Sequence, residues 1–117
     1  KEKPAISAYQ AALSRQADHP DALYRLGLIY ADTPGRKAAA VSVLAKALKG
    51  AAAAGPPPPW QCDASYSLCL TASQQGQRAV ALEACPAAYR CSSSKALKQE
   101  VYKILKRLDY KGFKPHD

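Results

Sequence analysis

CDASYSLCLTASQQGQRAVALEACPAAYRC, Cys62 to Cys91, holds all four cysteines of the 117-residue chain. The first two are seven residues apart and the last two six apart, with Gly76 near the middle. A seven-residue step is close to two helical turns, so Cys62 and Cys69 share one face of a helix. Folding the segment back at Gly76 sets position 69 opposite 85 and position 62 opposite 91. The spacing therefore predicts a helical hairpin with two nested bridges, Cys69–Cys85 and Cys62–Cys91. Four cysteines allow three connectivities. A zinc site and free buried thiols are the rival readings. Structural zinc favours close C-x2–4-C pairs, and neither gap has that length. Pro86 lies inside the second half of the segment and should kink that helix or start its final part.

Around this hairpin the chain is short. Its length suits one domain or a piece of one. A chain of this size buries about two thirds of its unfolded surface, so covalent staples matter to it. It is 48% hydrophobic, with one Phe and one Trp, and alanine supplies much of the apolar content. Such a composition leans to helix. No alternating run of β-branched and aromatic residues reads as a strand. No segment approaches the roughly 18 consecutive apolar residues of a membrane span.

Helical periodicity recurs along the chain. A first helix is expected over Pro4 to Ala17, with Ile6, Tyr9, Ala12 and Leu13 on one face. A second is expected over Pro20 to Ala31, capped by Asp18 or His19, with Leu23, Leu26 and Tyr30 in line. Gly27 beside them calls for a close helix neighbour, since a mid-helix glycine costs about 1 kcal/mol relative to alanine. A third runs over Lys37 to Lys49 through Ala40, Val41, Leu44, Ala47 and Leu48, with Gly50 placed to end it. GAAAAGPPPP comes next, and its four prolines read as a stiff polyproline II spacer. A docking site for a proline-binding partner is the functional alternative. Two helices are then expected over Asp63 to Gln74 and Gln77 to Tyr89. The last spans Ser94 to Leu108, with Leu97, Val101, Ile104, Leu105 and Leu108 inward. The tail beyond Gly112 reads as irregular. The domain reading is 1–50 helical pairs, 51–61 Ala/Pro spacer, and 62–117 stapled hairpin with a basic helix and tail.

PDALYRLGLIY, Pro20 to Tyr30, with AAVSVLAKAL, Ala39 to Leu48, after it, resembles a tetratricopeptide repeat. That repeat is a helix pair of about 34 residues whose first helix carries W-x2-L-G-x2-Y. Leu23 stands at the large position, and Leu26, Gly27 and Tyr30 match the remainder. Ala40, Leu44 and Ala47 match the small–large–small pattern of the second helix. Ala5 to Leu13 resembles the second helix of a preceding repeat, with Ala5, Tyr9 and Ala12 in register. Tyr66, Cys69 and Gly76 fall near the large, small and turn positions of a degenerate third copy. The resemblance implies an all-α array of antiparallel helix pairs, an α-solenoid. It implies a non-catalytic scaffold that binds proteins or peptides in a groove lined by the first helix of each pair. Tyr24, Arg25, Leu28 and Ala31 are the groove candidates, on the side away from the Leu23/Leu26/Tyr30 stripe, with Tyr24 and Arg25 read as exposed. The closing helix is expected to cap the array. The sharper alternative is that it packs on another copy, a head-to-tail contact that propagates into a filament.

The cysteine segment is similar to the twin-cysteine helical hairpins of the mitochondrial intermembrane space, although its steps are shorter. Disulfides point to an oxidising compartment. The expected location is therefore extracytoplasmic, periplasmic or secreted, with the intermembrane space as alternative. The opening KEKPAIS is charged and polar and does not read as a signal peptide, so the expectation is that such a segment has been removed or that this is not the native N-terminus. The chain has no asparagine, which rules out N-linked glycosylation of this sequence.

The net charge is +8. Basic residues gather at Arg36, Lys37, Lys46 and Lys49, then densely from Lys95 to Lys114. Lys95, Lys98, Lys103, Lys106 and Arg107 make a basic patch on the last helix. Such a patch reads as a solvated face, or as a module for nucleic acid or another anionic surface. The preferred partners are a protein or peptide, or further copies of the chain, with nucleic acid disfavoured. An accessory role in a large membrane complex is a further reading. There is no Gly-rich phosphate loop, H-E-x-x-H, G-x-S-x-G or close carboxylate pair. His19 and His116 read as a helix-boundary residue and a tail residue. No catalytic residue, metal ligand or cofactor site is expected, and the chain is not read as an enzyme.

Overall fold

The computed structural model describes residues 19–108. The expected Pro4–Ala17 helix, the repeat-like match over Ala5–Leu13, and the tail with His116 lie outside them. Within the described residues the chain is all-helical: α1 Pro20–Ala31, α2 Lys37–Ala54, α3 Gln61–Gln74, α4 Arg78–Cys91 and α5 Lys95–Arg107. Among these residues there is no strand.

Pro20 opens α1 at the position where a missing N–H costs nothing. His19 caps it: Nδ1 accepts from the Ala22 N–H at 3.1 Å. Leu23, Leu26 and Tyr30 are buried along it. Gly27 has the close neighbour its position demanded. A Cβ placed there would lie 2.6 Å from Leu44 Cγ on α2. Ala40, Val41, Leu44 and Ala47 are the buried stripe of α2, and Leu48 packs at its edge.

Gly50 does not end α2, which continues to Ala54. Four consecutive alanines have the best helix propensity available, enough to offset one internal glycine, and Ala51 is buried at 6% exposure. The break falls at Gly55, with φ +139°, directly before the prolines. The residue preceding a proline is pushed out of the helical region. The link between α2 and α3 is therefore residues 55–60, shorter than the 51–61 spacer read from composition. The Gln61 N–H returns to the Pro58 carbonyl at 3.1 Å, making the turn that starts α3.

The α3–α4 hairpin begins and ends two residues wider than periodicity alone suggested. Gly76, at φ +71°, makes its turn, where a left-handed backbone is least costly for glycine. Its interface is built of small residues. Ala64, Cys69 and Ala72 on α3 face Ala81, Cys85 and Ala88 on α4, each at 0% exposure. Small side chains let the backbones approach within disulfide reach, which needs Cα separations of about 4.4–6.8 Å. The structure has 4.7 Å for Cys69–Cys85 and 5.7 Å for Cys62–Cys91. All four sulfurs are bonded in this nested pairing. Pro86 is buried inside α4 and does not break it. Bridges on either side, at Cys85 and Cys91, hold both halves of the helix to α3.

Ser94 caps α5 by accepting from the Leu97 N–H at 3.3 Å. Val101, Ile104 and Leu105 are buried against the hairpin, with Leu97 and Leu108 at the margin. At the far end, Arg78 Nη2 donates to the Leu108 carbonyl at 2.9 Å. Each helix packs on the next. In addition α1 touches α3, and α3 touches α5. One apolar core runs through all five helices, and Leu26, Tyr30 and Ala40 form a smaller cluster beside it.

Candidate interaction surfaces

The four residues expected to line a groove do not share one environment. Tyr24 is buried at 7% exposure, not exposed. Its ring lies flat against Trp60, with centroids 4.7 Å apart and planes 8° from parallel. The burial has a physical cause. The proline link is short enough to return Trp60 onto α1, and an aromatic stack contributes beyond its buried area. Burial pushes the Tyr24 phenol above its usual value, and the nearby Asp63 carboxylate adds to the shift. Arg25 is exposed and donates from Nε to Asp21 one turn earlier, at 3.3 Å. Leu28 and Ala31 are half-buried, and Leu28 packs against the main core. Only Arg25 of the four is exposed.

The larger concavity lies elsewhere. A groove of about 510 Å³ runs between α2, α3 and α4. Its apolar wall includes Ala45, Leu48, Leu68, Val80 and Ala87, with Lys49 and Glu83 also lining it. Small residues open it: alanines at 45, 52, 84 and 87 leave room that larger side chains would fill. A smaller notch of about 250 Å³ lies by His19, Pro56, Pro58 and Trp60. Sequence periodicity could not place either feature, because both arise where separate helices meet. The four prolines and the single tryptophan were the available signal for the second.

The basic residues of α5 are presented outward. Lys95, Lys103, Lys106 and Arg107 are exposed, and Lys98 is half-buried. Lys98 Nζ sits 4.9 Å from the centre of the Tyr89 ring. Lys106 Nζ lies 5.9 Å from the centre of the Tyr102 ring. Lys103 pairs with Glu100 at 3.6 Å, both well exposed. Glu100 is the one acidic residue of this helix, so most of its positive charge is not offset along α5.

Among the described residues no three His, Cys, Asp or Glu side chains gather as a metal site. No described helix is long and apolar enough to cross a membrane. Comparison with family models, curated proteins and solved structures gave no match.

Proposed function

We propose that the chain is a non-catalytic protein-interaction scaffold of tetratricopeptide type, working in an oxidising, extracytoplasmic assembly. The observation that carries the reading is the order of helix packing. Two antiparallel pairs precede a fifth helix, and α1, α3 and α5 touch one after another. Stacked helix pairs of this sort complete each other's cores and leave a continuous surface for a partner. The match of Leu26, Gly27 and Tyr30 to the repeat pattern supports it, and so does the Gly27–Leu44 contact that such a glycine serves. Two disulfides support the oxidising compartment.

The binding face is the groove between α2, α3 and α4. Its apolar wall with few polar groups suits the side chains of a partner segment. Photo-crosslinkers introduced at Ala52 and Ala87, on opposite walls, test this in the native source. The expected result is a shared adduct of one defined mass from both positions. Adducts from neither position, while a crosslinker at Arg25 gives one, would move the binding face to α1. An adduct of twice the chain's own mass would favour the filament reading.

A second reading rests on α5. Its concentration of cations could hold an anionic surface, and such binding must fall steeply with salt. Retention on an anionic matrix at about 50 mM salt but not at about 200 mM would support it.

A further inference from the structure

The two disulfides differ in what can reach them. Cys69 and Cys85 are both at 0% exposure, in the middle of the hairpin. Cys62 and Cys91 close its open end, where Cys62 is half-buried and Cys91 is exposed. The second bridge therefore meets solvent at the exposed Cys91. A dissolved thiol can meet the first only after α3 and α4 separate.

The outer bridge is also chemically asymmetric. Cys62 lies in the first turn of α3, where the positive end of the helix favours a thiolate. Cys91 is the last residue of α4, where the helix end is negative. Attack at Cys91 makes Cys62 the leaving sulfur, at the start of α3 where the helix end favours the negative charge it carries away. Cys91 is the more exposed residue of the two and so the side from which an incoming thiolate attacks.

We propose that Cys62–Cys91 is a site of thiol–disulfide exchange for a dithiol donor, and that Cys69–Cys85 is a permanent staple. A donor thiolate attacks Cys91 Sγ. The Cys62–Cys91 bond breaks, and its electron pair leaves on Cys62 Sγ, which is then protonated by water. The donor's second thiolate attacks the donor sulfur of the mixed disulfide and releases Cys91 as a thiolate, which water protonates in turn. The donor ends as a disulfide, and the chain gains two electrons and two protons. The effect on structure comes from the bridge's place. It ties the start of α3, beside Trp60, to the Ser92–Ser94 link that carries α5. Opening it loosens that link while the inner staple keeps the hairpin closed. The site holds whether or not the chain is a scaffold.

Stepwise reduction with dithiothreitol, acid quenching, alkylation and peptide mapping tests the proposal. The expected first product carries label on Cys62 and Cys91 alone. The inner bridge should need at least about tenfold more reductant, because it opens only with local unfolding. Brief exposure to glutathione should leave its adduct on Cys91. The Cys62→Ser/Cys91→Ser variant stays closed by Cys69–Cys85, and its remaining bridge should still resist the low dose. Simultaneous labelling of all four cysteines, an adduct on Cys62, or an inner bridge that yields to the low dose in the variant would each overturn the proposal.

Discussion

Leu44 is packed so closely over Gly27 that a single methyl group on the glycine would lie 2.6 Å from Leu44 Cγ. Leu44 is itself at 0% exposure, among the most deeply buried side chains of the core. The contact fixes the spacing of α1 and α2. Gly27→Ala gains about 1 kcal/mol of helix propensity but forces an overpacked core that costs about 1–3 kcal/mol. The expected net result is a lower urea midpoint. A second change, Leu44→Val, should recover part of it, whereas Leu44→Val alone should destabilise. Independent, additive losses would show that the two sites do not press on each other.

Gly76 makes the opposite case. Nothing stands within 4 Å of a Cβ built there, but its φ is +71°. The cost of Gly76→Ala is therefore a backbone cost of about 1 kcal/mol. Gly76→Asn should lose less, since asparagine tolerates the left-handed region. Equal melting temperatures for the alanine and asparagine variants would refute a backbone origin.

The Tyr24–Trp60 stack can be read directly, because Trp60 is the one tryptophan of the chain. Trp60→Ala should cost about 2 kcal/mol, below the full value for a buried aromatic because Trp60 is half-buried. Tyr24→Phe should preserve the ring contact and most of the near-ultraviolet dichroism of the indole. Loss of that signal in the phenylalanine variant would mean that the hydroxyl, and not the stack, orders the site.

Tyr24 also makes an alkaline prediction. Burial and the Asp63 charge raise its folded pKa. The unfolded chain then releases this proton first as pH rises. The contribution is thus fully present below about pH 10, the ordinary tyrosine value. It is lost as pH climbs through the folded pKa. Melting temperature should fall more steeply above about pH 10 in the native chain than in Tyr24→Phe. Parallel curves would remove Tyr24 as a contributor.

Ser94 is the side-chain cap at the start of α5. Ser94→Ala should cost about 1 kcal/mol and raise amide hydrogen exchange in the first turn of α5 ahead of the α3–α4 hairpin. Uniform acceleration across all helices would instead indicate a single cooperative unit.

Much of the architecture is legible in the order of residues, because helix formation is local. Periodic apolar positions, Pro20 and the turn glycine Gly76 each act within a few residues of themselves. The hairpin pairing belongs here too: once two helices fold back at Gly76, the steps of seven and six residues place the cysteines in two opposing ranks. Gly50 shows where local reading fails. A glycine ends a helix or sits within one according to the residues after it and the packing they find. Here four alanines and a buried Ala51 carried the helix on to Gly55.

The surfaces were decided only by tertiary structure. Tyr24 reads as exposed along its own helix and is covered because Trp60, thirty-six positions later, comes back over it. The groove between α2, α3 and α4 belongs to no single helix, and the shielding of Cys69–Cys85 beside the open Cys62–Cys91 depends on what packs across the hairpin. Helices, and their ends apart from that of α2, are chosen by neighbours in the chain, so the sequence alone determined them. Burial and access are set by neighbours in space, and those existed only after the five helices had packed.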